Sequence, residues 1–326
     1  MCTSIAMKTA GDFYFGRNMD IEYSFGEKVI VTPRNYIFNF RHAGTFKNHH
    51  ALIGMASSAD NYPLYAEASN EKGLCMAGLN FPENACYSDC IKSDKTNIAV
   101  FELIPWILGQ CSDINEVKKL LENINIISEP FRKDIPTATL HWHIADKNSS
   151  IVLESTKSGI NVYDNPVDVL TNNPTFDFHM TNLCQYANLT TGFKENCLTK
   201  KAGVKPFGKG LGSFGLPGDF SPASRFVKIA YLLANSTEGK GESENISQFF
   251  HLLDSVAVVN GSIELDENVP YFTTYSCCMN ADKNIYYYKT YNNNQISAVN
   301  MNNINLESSK LTEFPLVNTQ QINYIC

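Results

Sequence analysis

The chain has 326 residues, 44% hydrophobic and 18% charged, with 20 Phe and 16 Tyr. That is apolar mass enough for a large core and excludes a disordered protein. The formal net charge is −7 and the lysines and arginines are scattered, which excludes the basic stripe that a nucleic-acid backbone demands. No apolar run approaches the roughly 18 residues of a membrane span, and no basic segment followed by an apolar one opens the chain, so a cytoplasmic protein without a membrane partner is expected.

Residues 2–8 and 13–17 read as strands around the turn Thr9-Ala10-Gly11-Asp12, and Val29 to Thr32 and Ile37 to Phe40 continue in the same style, predicting a β-meander at the start. Asp113, with Glu116 three residues on, precedes Val117, Leu120, Leu121 and Ile124, the signature of a capped amphipathic helix. Strand-like runs return at Thr139 to Ala145, Ile151 to Ser155, Ile160 to Tyr163 and Val169 to Leu170. A second helix is expected from the N-cap pair Ser221-Pro222 through Phe226, Ile229, Ala230 and Leu233, and a third over about Ile246 to Val256, after an exposed loop at Ser236 to Glu244. Tyr271 to Met279 and Ile285 to Tyr291 form a hairpin across residues 280–284, and the Asn-rich patches at 292–294 and 302–303 read as turns. Strands, then helices, then strands again, with no linker, predict an α+β arrangement of stacked sheets covered by helices in a single domain.

Ten cysteines, Cys2, Cys75, Cys86, Cys90, Cys111, Cys184, Cys197, Cys277, Cys278 and Cys326, are expected to be mostly reduced core thiols; no C-x-x-C pair suggests zinc. No metal and no cofactor are expected. His141-Trp142-His143 could place two imidazoles on one strand face, but without an evident third ligand these read as satisfied structural histidines, and His49-His50 as surface residues. Gly210 to Gly215 fits G-x-G-x-x-G, yet Pro217-Gly218 follows in place of a helix, so no dinucleotide site is inferred.

The chemistry concentrates at the start. Cys2 is small enough for Met1 to be removed, which would leave a thiol and a free α-amine on one residue. These groups titrate near ~8.5 and ~7.7 to 8.0 in unperturbed form, so the amine can serve as base for its own thiol. Gly16-Arg17-Asn18-Met19-Asp20 sets a cation and a carboxylate at the end of the strand antiparallel to the one carrying Cys2. Arg17 would favour the thiolate, and Asp20 could accept hydrogen bonds from the amine.

Five separated motifs carry a resemblance: Met1-Cys2-Thr3, Gly16 to Asp20, Asn70 to Leu74 leading into Ala77 to Phe81, Leu170-Thr171-Asn172-Asn173-Pro174, and Gly215 to Asp219 before Ser224-Arg225-Phe226. In order and identity they resemble the choloylglycine hydrolase family and, within it, the bile salt hydrolases, from residue 2 to about 300. The resemblance implies the four-layer αββα sandwich of N-terminal nucleophile hydrolases, a single catalytic domain over 2–326, hydrolysis of the amide of glycine- or taurine-conjugated bile acids through an acyl-enzyme, and a homotetramer. It implies Cys2 as nucleophile and its amine as base, Arg17 and Asp20 as their supporting pair, the Asn172 amide and the Asn80 backbone N–H as an oxyanion hole, and Arg225 as a second arginine near the nucleophile. Matching the family's pocket loops, around residues 19–25, 57–66 and 126–140, gives Met19, Ala59, Ala66, Phe131, Ile135 and Leu140 as walls for a rigid apolar steroid. Cys75 stands where relatives often have Gly, and is expected near the site. Penicillin V acylases and other N-acyl amide hydrolases share nearly all these motifs and are the main alternative; Asn80 in place of their common Tyr favours bile salts. An alternative of another class is a noncatalytic bile-acid-binding protein on the same scaffold.

Overall fold

The computed structural model describes residues 1–326 except 194, 197, 200 and 266–268, so Cys197 lies outside the described residues. The chain opens with β1 (Cys2–Lys8), β2 (Phe13–Ile21) and β3 (Lys28–Thr32), then the short pair β4 (Phe38–Phe40) and β5 (Gly44–Phe46), and the strands β6 (Leu52–Ala59), β7 (Tyr62–Asn70) and β8 (Cys75–Asn80). After β9 (Thr96–Ala99) come α1 (Leu103–Leu108), α2 (Ile114–Leu121), β10 (Ile124–Ile127), β11 (Leu140–Ala145), β12 (Ser150–Thr156) and β13 (Gly159–Asp164). The second half holds β14 (Val169–Leu170), α3 (Phe176–Leu183), α4 (Pro222–Asn235), α5 (Glu242–Asp254), the pair β15 (Glu264–Leu265) and β16 (Val269–Pro270), then β17 (Phe272–Asn280), β18 (Ile285–Thr290), β19 (Asn293–Asn300) and β20 (Thr312–Pro315).

Two large sheets result, with strand orders β14-β1-β2-β17-β18-β19 and β13-β12-β11-β8-β7-β6-β3-β20. Their central strands, such as β1, β2, β8, β11 and β12, are buried on both faces, so apolar residues occupy both parities there and no clean alternation shows in sequence. In β8, Cys75, Ala77 and Leu79 face the other sheet, while Met76 joins an outer core with Ile30, Trp142 and the buried side chains of α1 and α2. On the far side, α4 and α5 place Phe226, Ile229, Phe249 and Leu253 against the six-stranded sheet. The layers therefore run helix, sheet, sheet, helix, the αββα sandwich that the resemblance implied.

Local chemistry accounts for several boundaries. Thr9 donates to Asp12 O at 2.7 Å and accepts from Asp12 N at 3.0 Å, closing the β1–β2 turn. Asp113 caps α2 by accepting from Glu116 N at 2.9 Å, and Ser221 caps α4. Other expectations are corrected. The opening is not one meander: β2 is already flanked by β1 and β17, so β3 leaves for the other sheet. Ile124 ends no helix but begins β10, parallel to β9. Helix α5 starts four residues before Ile246, because the polar turn from Glu242 to Asn245 carries acids that suit a helix N-terminus but show no apolar periodicity. Asn293 opens β19, and residues 301–303 form a single 3₁₀ turn. His49 is buried, with its ring nitrogens on the carbonyls of Tyr36 and His50. Of the described cysteines Cys2, Cys75, Cys111, Cys277 and Cys278 are buried and Cys86, Cys90, Cys184 and Cys326 exposed.

His141 and His143 are fully buried. Among the described residues no group of three or more His, Cys, Asp or Glu is arranged to hold a metal ion. His143 reaches across the sandwich, its Nδ1 2.9 Å from Ser4 Oγ of the opposite sheet and its Nε2 2.8 Å from Ser150 Oγ. Burial pushes its pKa from 6.5 down to about 3, and that of His179 to about 4. Both stay neutral in the folded protein while the unfolded chain protonates them, so the stability present above pH 6.5 is lost progressively as pH falls toward those values. The urea midpoint should fall between about pH 7 and pH 5, and His143→Gln should flatten that slope; a parent midpoint constant over the interval would contradict it.

Candidate functional site

Register places the first functional residues. Cys2 pairs with Met19 across β1 and β2, and Ser4 with Arg17. Cys2 is 3% exposed, and the Arg17 side chain, fully buried, donates through Nη2 to its sulfur and to Met19 Sδ at 3.5 Å. At the other end of the guanidinium, Nη1 donates to Gly78 O at 2.5 Å and lies 3.7 Å from Glu67 Oε2. Burial opposes the Arg17 charge, yet the Cys2 sulfur, Tyr275, Glu67 and Cys277 together hold its pKa above the ordinary value.

The backbone around this cation is irregular for a visible reason. Met55 pairs with Glu67 but Ala56 with Tyr65, so Ala66 is an extra residue in β7, a β-bulge, and its carbonyl lies 3.5 Å from Arg17 Nη1. At Gly54, opposite Ala68 and one residue before the bulge, a Cβ would stand 2.0 Å from Glu67 O, so only glycine permits β6 to approach this closely. Past the bulge, β7 pairs with β8 only from Ser69 to Glu67, leaving Gly78 and Asn80 with no strand on that side. Phe81 N bonds to Thr139 O across to β11, so antiparallel alternation turns the N–H and C=O of Gly78 and Asn80 the other way, toward Arg17 and Asn172. Arg17 takes the Gly78 carbonyl and Asn172 Nδ2 the Asn80 carbonyl at 2.6 Å, which leaves the Asn80 N–H pointing into the same gap.

Asn172 follows β14 and is 3% exposed. Its Oδ1 accepts from Cys2 N and from Arg225 Nη2, both at 2.8 Å. Its own carbonyl accepts from His179 Nε2 at 2.8 Å, while the preceding carbonyl, of Thr171, faces His141 Nε2 at 3.0 Å. Arg225, on the first turns of α4, also donates to Phe220 O, Cys2 O and Thr3 Oγ1. Burial lowers its pKa, with Asp20 and Cys2 opposing.

Asp20 is 2% exposed. Thr273 donates to its Oδ1 at 2.6 Å from beside a second bulge, where β17 gains Thr274 against β2; the buried Oδ2 of Asp20 has no partner among the described residues. Met1 continues β1 opposite Asp20, its amine donating to Asp20 O at 3.0 Å and its carbonyl accepting from Asp20 N at 3.2 Å. Burial pushes the pKa of this amine down, opposed by Cys2 and Asp20 and reinforced by Arg225 and Arg17.

Met1, Cys2, Arg17, Asp20, Gly78 and Asn80 line one cavity of about 620 Å³, with Asn172 and Arg225 packed behind them. Of the expected walls, Met19, Ala66, Phe131, Ile135 and Leu140 line it. Ala59 does not, a correction: it closes the β6–β7 hairpin two residues beyond Ser57, the last lining residue of that strand, and Tyr62 opposite it packs on Phe101 and Phe131. Val100, Phe101, Ile104, Ile263 and Tyr271 are walls that sequence reasoning missed. They come from the start of α1 and from segments distant in sequence, so no local pattern joins them. Cys75 is corrected too: it begins β8, five residues before Asn80, and is wholly buried, its thiol pushed well up by burial. Roughly 16 Å of strand separates it from that end. A thiol against a guanidinium, an amine beside a carboxylate, and amide donors on one edge, opening on an apolar cavity, suit nucleophilic acyl transfer.

Removing the Arg225 fork takes the donor from the buried Cys2 carbonyl and Thr3 Oγ1, from the part-buried Phe220 carbonyl, and one of two donors from Asn172 Oδ1. Arg225→Met should cost roughly 2–4 kcal/mol of stability by urea unfolding, and Arg225→Lys should recover only part; an unchanged midpoint would contradict this reading of Arg225.

Comparison with known proteins gives matches over nearly the whole chain. The pattern of the linear amide C–N hydrolases, choloylglycine hydrolase family, matches residues 2–314. A bile salt hydrolase/transferase of Lactiplantibacillus plantarum is 45% identical over 318 residues, 97% of each chain. The solved structure of a mutant conjugated bile acid hydrolase from Clostridium perfringens superposes with a TM-score of 0.93 at 42% identity, covering 100% of both chains. A penicillin V acylase from Agrobacterium tumefaciens has a TM-score of 0.77 at 17% identity over 96% of this chain and 91% of its own, a likeness of fold alone.

Proposed function

The chain belongs to the choloylglycine hydrolase family of linear amide C–N hydrolases, and on that premise we propose that it hydrolyses the amide of glycine- or taurine-conjugated bile salts with Cys2 as nucleophile, after loss of Met1. The observation that carries this reading is the Arg17 guanidinium on the Cys2 sulfur, beside an Asp20 oxygen without a partner among the described residues, at the floor of an apolar cavity.

With Met1 gone, the Cys2 nitrogen becomes a free amine, adjacent to Asn172 Oδ1 and able to supply the donor that Asp20 Oδ2 lacks. The amine accepts the thiol proton, and Arg17 stabilises the negative sulfur as it attacks the acyl carbon. The carbonyl π electrons move onto oxygen, which the Asn80 N–H and the free hydrogen on Asn172 Nδ2 receive. Collapse expels the glycine or taurine nitrogen, which takes the proton from the ammonium and leaves a thioester. Water, deprotonated by the same amine, then releases the bile acid and the thiol. Arg225 holds the Cys2 carbonyl and the Asn172 side chain so that nucleophile and oxyanion donors keep one geometry.

The apolar walls support a steroid as the acyl group. Hydrolysis of penicillin V remains the rival activity, and a noncatalytic binding protein on this scaffold would give no acyl transfer in a single turnover. Residues 2–326 form the proposed catalytic domain. By resemblance we also propose a homotetramer in the cytoplasm, which sedimentation and fractionation test. Among the described residues no helix is long and apolar enough to cross a membrane.

Fully active enzyme should lack Met1 by mass spectrometry, and Cys2→Ala should fold yet have no turnover; retained Met1 in active protein would sink the mechanism. For substrate, kcat/KM on glycocholate or taurocholate should exceed that on penicillin V at least about tenfold, roughly 1.4 kcal/mol of transition-state stabilisation. Equal efficiency would overturn the bile-salt assignment and leave the cysteine chemistry standing.

A further inference from the structure

Behind Arg17, away from the cavity, the sandwich contains a second polar cluster. Glu67 projects inward from β7, and its side chain is fully buried. Its Oε1 accepts from Tyr286 Oη at 2.7 Å and from Tyr275 Oη at 3.2 Å, with the Cys277 thiol at 3.6 Å; Tyr275 Oη is also 3.0 Å from Oε2. The tyrosines and Cys277 belong to β17 and β18 of the opposite sheet, so the carboxylate links the two sheets. Burial pushes the Glu67 pKa up, while Arg17, Tyr286, Tyr275 and Cys277 oppose that push. Every one of those contacts is a hydrogen-bond donor, and burial drives Tyr275, Tyr286 and Cys277 well above their ordinary pKa values, so they keep their hydrogens to donate.

We propose that Glu67 is a positioning residue: with Tyr275 and Tyr286 it anchors and balances the Nη1 end of Arg17, and so sets how much of that positive charge the Cys2 sulfur feels. An unbalanced guanidinium in this interior would be costly to bury, and one free to rotate would not hold Nη2 on the sulfur. Three acceptors restrain the Nη1 end, the carbonyls of Gly78 and Ala66 and the Glu67 carboxylate, and only the last carries charge. The inference rests on Cys2 being the nucleophile of the proposed reaction.

The groups facing Glu67 are Arg17, Tyr275, Cys277 and Tyr286; those facing the Cys2 end are Arg17, Asp20, Arg225 and the N-terminal amine. Glu67→Gln removes one negative charge while the two carbonyls still hold Arg17. The test is the rate of Cys2 alkylation by iodoacetamide against pH, with Cys2 identified by peptide mass, on processed protein. The acid limb, which belongs to the coupled thiol and amine, should move to lower pH by roughly half a unit or more in Glu67→Gln. Tyr286→Phe, which removes the 2.7 Å donor and leaves more of the carboxylate charge facing Arg17, should move it the opposite way, to higher pH, by less. With glycocholate, Glu67→Gln should lower kcat by roughly threefold to tenfold with little change in KM, because Glu67 lies outside the cavity wall. If folded Glu67→Gln keeps the parental acid limb, the inference is overturned; if that variant does not fold, the same outcome in Tyr286→Phe overturns it. Alkylation needs no substrate, so absence of bile-salt turnover in the parent would defeat the proposed function and leave this test intact.

Discussion

A guanidinium with no exposure, held between two sheets, is the constraint on which the site is built. Burying a cation without compensation is prohibitive, so the surroundings of Arg17 have to supply acceptors from several directions. One end meets two main-chain carbonyls and Glu67, and the other meets the Cys2 sulfur. Electrostatic satisfaction of Arg17 and placement of a reactive thiol are thus one structural problem. In the proposed reaction the charge that threatens the core is also the one that would stabilise negative sulfur during attack.

Regular strands could not meet this demand, because a continuous ladder uses each backbone carbonyl on its neighbour. The bulge at Ala66 ends the β7–β8 pairing early and leaves the Gly78 and Asn80 edge open to Arg17 and Asn172. The bulge at Thr274, on the other sheet, lies beside the Thr273 hydroxyl that holds Asp20. Both sheets are irregular beside Cys2, and a further register shift lies between β18 and β19 at Tyr288 to Thr290.

A second arginine plays a different part. Arg225 does not touch the sulfur; it gathers the Cys2 carbonyl, Thr3 and Asn172 into one cluster at the start of α4. The neutral buried histidines act further back, His179 on the Asn172 carbonyl and His143 between the sheets. The polar interior therefore grades from groups in contact with the Cys2 sulfur to groups that hold those groups in place.

Much of this was legible in sequence. Cys2, Arg17 and Asp20 are tied together by one hairpin, whose turn at Thr9 to Asp12 sets the register, and the caps at Asp113 and Ser221 are local hydrogen bonds between near neighbours. Asn80, Asn172 and Arg225 came only through likeness to a family, since nothing local links residues 92 and 53 positions apart. Glu67, Tyr275 and Tyr286 gave no signal at all, being a carboxylate in one strand and two tyrosines in others. Strand pairing between sheets, the bulge that frees an edge, and the packing of α1 against β7 and β8, which brings Phe101 and Ile104 into the cavity wall while leaving Ala59 out, were decided by tertiary structure. The reason is physical: a side chain's backbone neighbours are written in the chain order, whereas its partners across a sandwich are selected by what else must be buried there.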